Sequence, residues 1–207
     1  MVITKLQQNK HEDLVDIYID DQFFKTVDKS FVLQYGLVKG KALNQDQIKE
    51  LEDKSIINKL KNLAIQKISL RPRSEEEIRQ YLSKKERGTG LVDVVVTHLI
   101  RKKYIDDHEF CKWWIDNRNT FRARSRMELA NELLKKGVER EIINIALKEY
   151  LDSDKEFRNA ETVADKKIKE LSIKKVGNRE KEQKFIQYMQ RKGYNWDLIY
   201  KLKEKYF

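Results

Sequence analysis

Cysteine, proline and glycine are scarce in this chain, and an unbroken apolar run is missing altogether. A single cysteine, Cys111, among 207 residues permits no intrachain disulfide, which fits a reducing cytoplasm. One proline and seven glycines leave few positions that break a helix, so long helices are favoured over loop-rich β architecture. The most apolar stretch, Leu91 to Leu99, is interrupted by Asp93 and His98. It falls well short of the ~18–20 apolar residues that a membrane span requires, so no membrane association is expected. The N-terminal residues MVITKLQQ lack the basic region and apolar segment of a secretory signal.

The residues of catalysis and metal binding are also poorly arranged. His11, His98 and His108 have no ligand spacing with Cys111, so neither a metal nor a cofactor is expected. No glycine-rich phosphate loop and no Ser-His-Asp arrangement is recognisable. A nuclease needs clustered carboxylates to hold metal ions, and here the acids are dispersed among lysines. No catalytic residue is assigned.

Charge is what the sequence has in abundance. Charged residues make up 38% of the chain, hydrophobic ones 40%, and the formal net charge is +10. With a mean hydropathy of −0.77, the apolar residues must lie as stripes on amphipathic helices. Residues 1–42 are neutral, with six lysines and six acids; residues 43–120 carry 16 basic and 13 acidic groups; residues 121–207 carry 22 and 15. A basic surface concentrates polyanions, and each phosphate it neutralises releases counterions. A soluble basic helical protein with no nucleic-acid role has the same balance.

The N-terminal segment differs in pattern from the rest. Val2–Gln7 reads as a short strand, and Ile17, Ile19 and Phe23 alternate with polar residues around a turn at Asp20-Asp21-Gln22. Ser30 opens a short helix carrying Phe31, Val32 and Tyr35, ended by Gly36 or Gly40. From Asn44 the helical period dominates. Asn44 caps a helix with Ile48 and Leu51, and Ser55 opens another with Leu60, Leu63 and Ala64. Ser74-Glu75-Glu76-Glu77 is a capping box just after Pro72, preceding the stripe Ile78, Tyr81 and Leu82.

Later segments repeat this one. Aligned on Gly137 and Gly193, Leu129 matches Phe185, Leu133 matches Met189 and Val138 matches Tyr194. In the following helix Ile142, Ile143, Ala146 and Tyr150 match Leu198, Ile199, Leu202 and Tyr206. A step back aligns Ser125 with Ser74 and Leu129 with Ile78, with a longer connection through Gly88 and Gly90 to Val94-Val95-Leu99. Each unit has a long helix, a short helix ended by a glycine-type cap, and a third helix. The expected fold is mainly α. Three tandem three-helix repeats (43–105, 106–151 and 152–207) form an elongated curved array behind a small β-containing module at 1–42.

The same segments resemble the RecX family. Arg71-Pro72-Arg73-Ser74-Glu75-Glu76-Glu77-Ile78 stands in place of its first-repeat Arg-Pro-Arg-Ser pattern. Lys103-Tyr104-Ile105-Asp106-Asp107, Glu132-Leu133-Leu134-Lys135-Lys136-Gly137-Val138 and Met189-Gln190-Arg191-Lys192-Gly193-Tyr194 are similar to later family patterns, in the same order. The likeness covers roughly residues 44–207. The chain departs from the pattern where glycine precedes Tyr104, where alanine stands at Cys111, and where a Gly-Pro is replaced by Ala123-Arg124. The resemblance implies a modulator, mainly an inhibitor, of the RecA recombinase in DNA repair, recombination and the SOS response. Its implied target is the RecA filament on single-stranded DNA, with no catalytic site or cofactor.

Candidate contacts follow from the basic clusters. Arg118, Arg122 and Arg126 share a face if their helix is continuous; if the chain breaks near Ala123, they form a basic loop with Arg124. Arg71, Arg73, Lys135, Lys136, Arg191 and Lys192 complete the set, as positions on the repeat motifs expected to meet the recombinase or DNA phosphate. Trp113, Trp114 and Tyr104 are candidates for base stacking, although aromatic residues at helical spacing more often fill a core. One of Asp106 and Asp107 caps the helix near His108. Nothing demands a dimer. The rival reading is a helix-turn-helix nucleic-acid regulator that acts without a recombinase.

Overall fold

The computed structural model describes residues 1–11, 13–87, 90–121 and 123–207. Contacts divide the chain into two compact units, residues 1–70 with 78–104, and residues 71–77 with 105–207.

The first unit begins with a three-stranded antiparallel sheet, β1 (Ile3–Gln8), β2 (Leu14–Ile19) and β3 (Gln22–Asp28), in that spatial order. Ile19 pairs with Gln22, so Asp20 and Asp21 form a two-residue hairpin turn with φ of 48° and 63°. Both central residues of such a turn must be left-handed, which aspartate tolerates better than most side chains. Ile3, Ile17, Ile19 and Val27 form one buried group with Phe31, Leu37, Leu43 and Leu51. The sheet therefore has a core only because a helix covers it, as its small size requires.

Two expected helix starts are corrected. The short helix α1 (Lys29–Gln34) has Asp28, not Ser30, at its N-cap. The Asp28 carboxylate instead accepts bonds from the side-chain amides of Asn58 and Asn62, at 2.8 and 2.9 Å. Ser55 opens no helix. Asn44 and Gln47 cap each other's backbone N–H at 2.8 and 2.9 Å, and a single helix α2 (Gln45–Leu70) then runs through Ser55. The Ser55 hydroxyl donates to the Glu52 carbonyl at 2.7 Å, satisfying itself without interrupting the helix. The unit is completed by most of α3 (Glu75–Ser83) and by α4 (Leu91–Arg101), which packs on α2.

The second unit contains α5 (Asp107–Phe121), α6 (Arg126–Leu134), α7 (Arg140–Tyr150), α8 (Ser153–Ser172), α9 (Asn178–Arg191) and α10 (Trp196–Tyr206). Asp106 caps α5, accepting from the backbone N–H of His108 at 2.9 Å and of Glu109 at 3.2 Å. Leu129, Leu133, Val138, Ile143 and Ala146 are buried in one cluster with Phe110, Cys111 and Ile115. Their counterparts Phe185, Met189, Tyr194, Ile199 and Leu202 are buried in a second cluster with Ala160 and Ala164. The matched sequence positions are therefore the same core positions used twice. Trp113 and Trp114 are partly buried against the first cluster.

Candidate functional site

The residues singled out by the repeat motif are brought together twice, in the same geometry. Ser74 and Ser125 are both fully buried serines. The Ser125 hydroxyl accepts the Glu128 N–H at 3.1 Å and donates to the Lys192 carbonyl at 2.5 Å. The Ser74 hydroxyl accepts the Glu77 N–H at 3.2 Å and donates to the Lys136 carbonyl at 2.7 Å. One hydroxyl thus satisfies an orphan donor at one helix start and an orphan carbonyl at another helix end.

The acid of each box meets the lysine whose carbonyl its serine has bound. Lys136 Nζ donates to Glu77 at 2.8 Å, and Lys192 Nζ donates to Glu128 at 3.3 Å. Arg71 adds a bond to Glu77 at 2.9 Å, and Arg73 lies 3.9 Å from it. Burial pushes the Glu77 carboxyl up, but the bonds and charges of Arg71 and Lys136 outweigh it and hold it below the usual carboxylate range. Behind each lysine a glycine ends the helix in the left-handed region, with φ of +80° at both Gly137 and Gly193. A Cβ on Gly137 would lie well inside contact distance of Glu76, and one on Gly193 inside contact distance of Met127. Lysine, glycine, serine and glutamate are therefore parts of one joint.

Beside this joint, Glu132 gathers the basic residues of the second repeat. It accepts from the Trp114 indole N–H at 2.9 Å and from Arg118 Nε at 2.7 Å, with Arg124 Nε 3.5 Å away. The Arg118 guanidinium lies 4.5 Å from the Trp114 ring centroid and Lys136 Nζ 5.2 Å from it. Arg124 also pairs with Glu128 at 3.3 Å. Arg126 pairs with Glu156 at 3.2 Å and donates to the Leu151 carbonyl at 2.6 Å. Near this pair a surface hollow of about 320 Å³ reaches Gly193 and Asn195.

Of the ten candidate contacts, seven are thus engaged in internal ion pairs: Arg71, Arg73, Arg118, Arg124, Arg126, Lys136 and Lys192. Lys135 and Arg191 are exposed and have no ion pair among the described residues. Arg122 lies outside the described residues. Of the aromatic candidates, Tyr104 is 52% exposed, whereas Trp113 and Trp114 pack on the core. Sequence reasoning missed Glu77, Glu128 and Glu132 as organising acids. The Ser-x-x-Glu box that recurs at Ser74 and Ser125 marked the positions of Glu77 and Glu128 but not their partners, and nothing local marked Glu132.

Cys111 is buried, and burial pushes its thiol up to about 12. Among the described residues no three His, Cys, Asp or Glu side chains are grouped to hold a metal ion. No helix among them is long and apolar enough to cross a membrane.

Family profiles match the chain in three places. Residues 1–44 match the regulatory protein RecX N-terminal domain, residues 106–147 the RecX second three-helix domain, and residues 154–202 the RecX third three-helix domain. A regulatory protein RecX of Listeria monocytogenes serotype 4a is 33% identical over 199 residues, covering 96% of this chain and 73% of the relative. Another, from Clostridioides difficile strain 630, is 30% identical over 205 residues, covering 99% and 95%. A crystal structure of regulatory protein RecX superposes with a TM-score of 0.81 at 22% identity, covering 98% of both chains. One of RecX from Lactobacillus salivarius gives 0.66 at 21% identity, over 72% of this chain and 96% of the other.

Proposed function

The chain belongs to the RecX family of regulatory proteins, and from that premise we propose that it binds the RecA filament on single-stranded DNA and limits the recombinase's activities. The observation that carries this reading is the order of matches along the chain, an N-terminal module followed by three-helix units with a recurring Ser–Lys–Gly joint. Recurring three-helix units offer several weak contacts, and a filament offers regularly spaced partners. Such contacts combine through effective concentration. The formal charge of +10 suits both DNA phosphate and an acidic protein groove.

In this reading the protein is a cytoplasmic, monomeric, non-enzymatic inhibitor that acts in recombination and repair, without a cofactor. Its effect on filament growth, ATP hydrolysis and coprotease activity is steric and electrostatic. Of the candidate contacts among the described residues, Lys135 and Arg191 are the ones exposed and available to such a partner. The deciding experiment is a RecA ATPase and strand-exchange assay with and without this protein. Inhibition at substoichiometric or stoichiometric protein supports the reading. Unchanged rates alongside tight, steeply salt-dependent DNA binding would move the assignment to a nucleic-acid regulator without a recombinase.

A further inference from the structure

With most of the motif's arginines and lysines spent on internal acids, further free positive charge lies outside the ten candidate contacts. One such grouping is in the first unit. A surface cleft of about 470 Å³ between α2 and α4 is lined by Lys61, Asp93, Val94, Thr97, His98 and Arg101. Arg101, Lys102 and Lys103 follow one another at the end of α4, and Tyr104 comes next. Lys61, Arg101, Lys102 and Lys103 make no ion pair among the described residues. The one acid on the cleft, Asp93, is bonded to Arg79 and so is already neutralised.

We infer that this cleft is a binding site for the phosphate backbone of single-stranded nucleic acid, with Lys61, His98, Arg101 and Lys102 contacting phosphate and Tyr104 offering a base-stacking face. The site rests on, and deepens, the filament reading by naming a DNA-contacting surface. Three observations support it. The cations are mutually uncompensated. Burial, followed by the charges of Lys61, Arg101 and Lys102, lowers the affinity of His98 for its proton, as expected where positive potential has no counter-charge. The negative end of the α4 dipole attracts Arg101 and Lys102, but it does not account for Lys61 across on α2.

The third observation is conformational. Lys103 N–H bonds to the Ile100 carbonyl at 2.8 Å and Tyr104 N–H to the Leu99 carbonyl at 2.9 Å. Gly137 with Val138, and Gly193 with Tyr194, make the same pair of bonds at the ends of α6 and α9. At α4 the left-handed position, with φ of +57°, holds a lysine. A cation is therefore kept where glycine fits without strain, and strained residues concentrate at functional sites.

Nucleic acid is favoured over an acidic protein as the occupant. A protein interface needs a desolvated apolar centre, and Val94 is the sole large apolar side chain exposed on the cleft lining. Lysines and arginines with an exposed aromatic residue beside them are instead the parts of a single-strand groove.

The test uses the full chain and a fluorescent oligothymidylate, with no recombinase present. The double variant Lys61→Gln with Arg101→Gln, checked for an unchanged melting curve, is expected to bind at least tenfold more weakly at low salt. Its slope of log affinity against log salt is expected to fall by about 1.4, roughly 0.7 for each phosphate no longer neutralised. In NMR titrations His98 is expected to gain proton affinity when the oligonucleotide is added. Unchanged affinity and slope in the folded variant overturn the site, as does equal binding of poly-glutamate. Failure of the wild-type chain to affect RecA, with these DNA results intact, overturns the filament reading and leaves the site standing.

Discussion

The hydroxyl of Ser74 donates to the carbonyl of Lys136 at 2.7 Å while accepting the Glu77 N–H at 3.2 Å, in a place with no solvent exposure. Removing it leaves one backbone donor and one carbonyl without a partner. Ser74→Ala is therefore expected to lower the unfolding free energy by about 2 kcal/mol in urea titrations. Ser125→Ala breaks the matching pair with Glu128 and Lys192 and carries the same expectation. A loss below about 0.5 kcal/mol in both would show that the hydroxyls do not hold the joints.

The glycines of the joint are constrained twice over, by φ and by space. Gly36, with φ of +54°, has nothing within 4 Å of an added Cβ, so Gly36→Ala meets only the cost of the left-handed conformation, roughly 1 kcal/mol. Gly137→Ala meets that cost and also forces Glu76 away from the joint. It is expected to destabilise by clearly more than Gly36→Ala in the same titration. Equal losses would mean that the chain relaxes freely at the joint.

The repeat was legible because its signals are local. Ser74 and Ser125 begin helices, Gly137 and Gly193 end them, and Leu133 and Met189 keep the helical period between. What joins the helices was not legible, since Lys136 and Glu77 are far apart in sequence and either could have faced water. For the same reason the arginines at 118, 124 and 126 read as a free basic surface. Charge shows in a sequence, whereas its neutralisation by Glu128, Glu132 and Glu156 depends on packing. Ser55 misled in the opposite direction, because a serine satisfied by its own helix looks like a helix start.

The internal pairs decide which charge reversals are informative. Arg126 faces Glu156, whose side chain is 13% exposed, and also holds the Leu151 carbonyl. Arg126→Glu sets two carboxylates against each other there, and is expected to lower the melting temperature visibly by calorimetry. Reversal of Lys135 and Arg191 touches no internal acid among the described residues and is expected to leave stability within about 0.5 kcal/mol. That double variant is the clean test of filament binding. A drop in its inhibition of strand exchange at unchanged stability is the expected result.

The Cys111 thiol has no solvent exposure and is pushed up to about 12, so almost no thiolate exists near neutral pH. Modification by a disulfide reagent is expected to be slow in the native protein and to accelerate sharply in denaturant, tracking unfolding. Rapid labelling of the native chain would mean that the cluster around Phe110 and Ile115 opens locally.

Glu77 gives the joint a pH dependence whose sign is fixed. Its folded carboxyl binds a proton less readily than the unfolded one, whose value is near 4.5, because Arg71 and Lys136 favour the charged form. The stabilisation is complete above that value and is lost as pH falls through the lower folded one. Glu77→Gln keeps the size of the side chain but removes the charge. The variant is expected to be less stable than the wild type at pH 7, with the difference shrinking steadily in unfolding titrations below about pH 4.5. A gap that stays constant into acid would mean that the joint depends on packing at Glu76 and Gly137 and not on the charge of its neighbour.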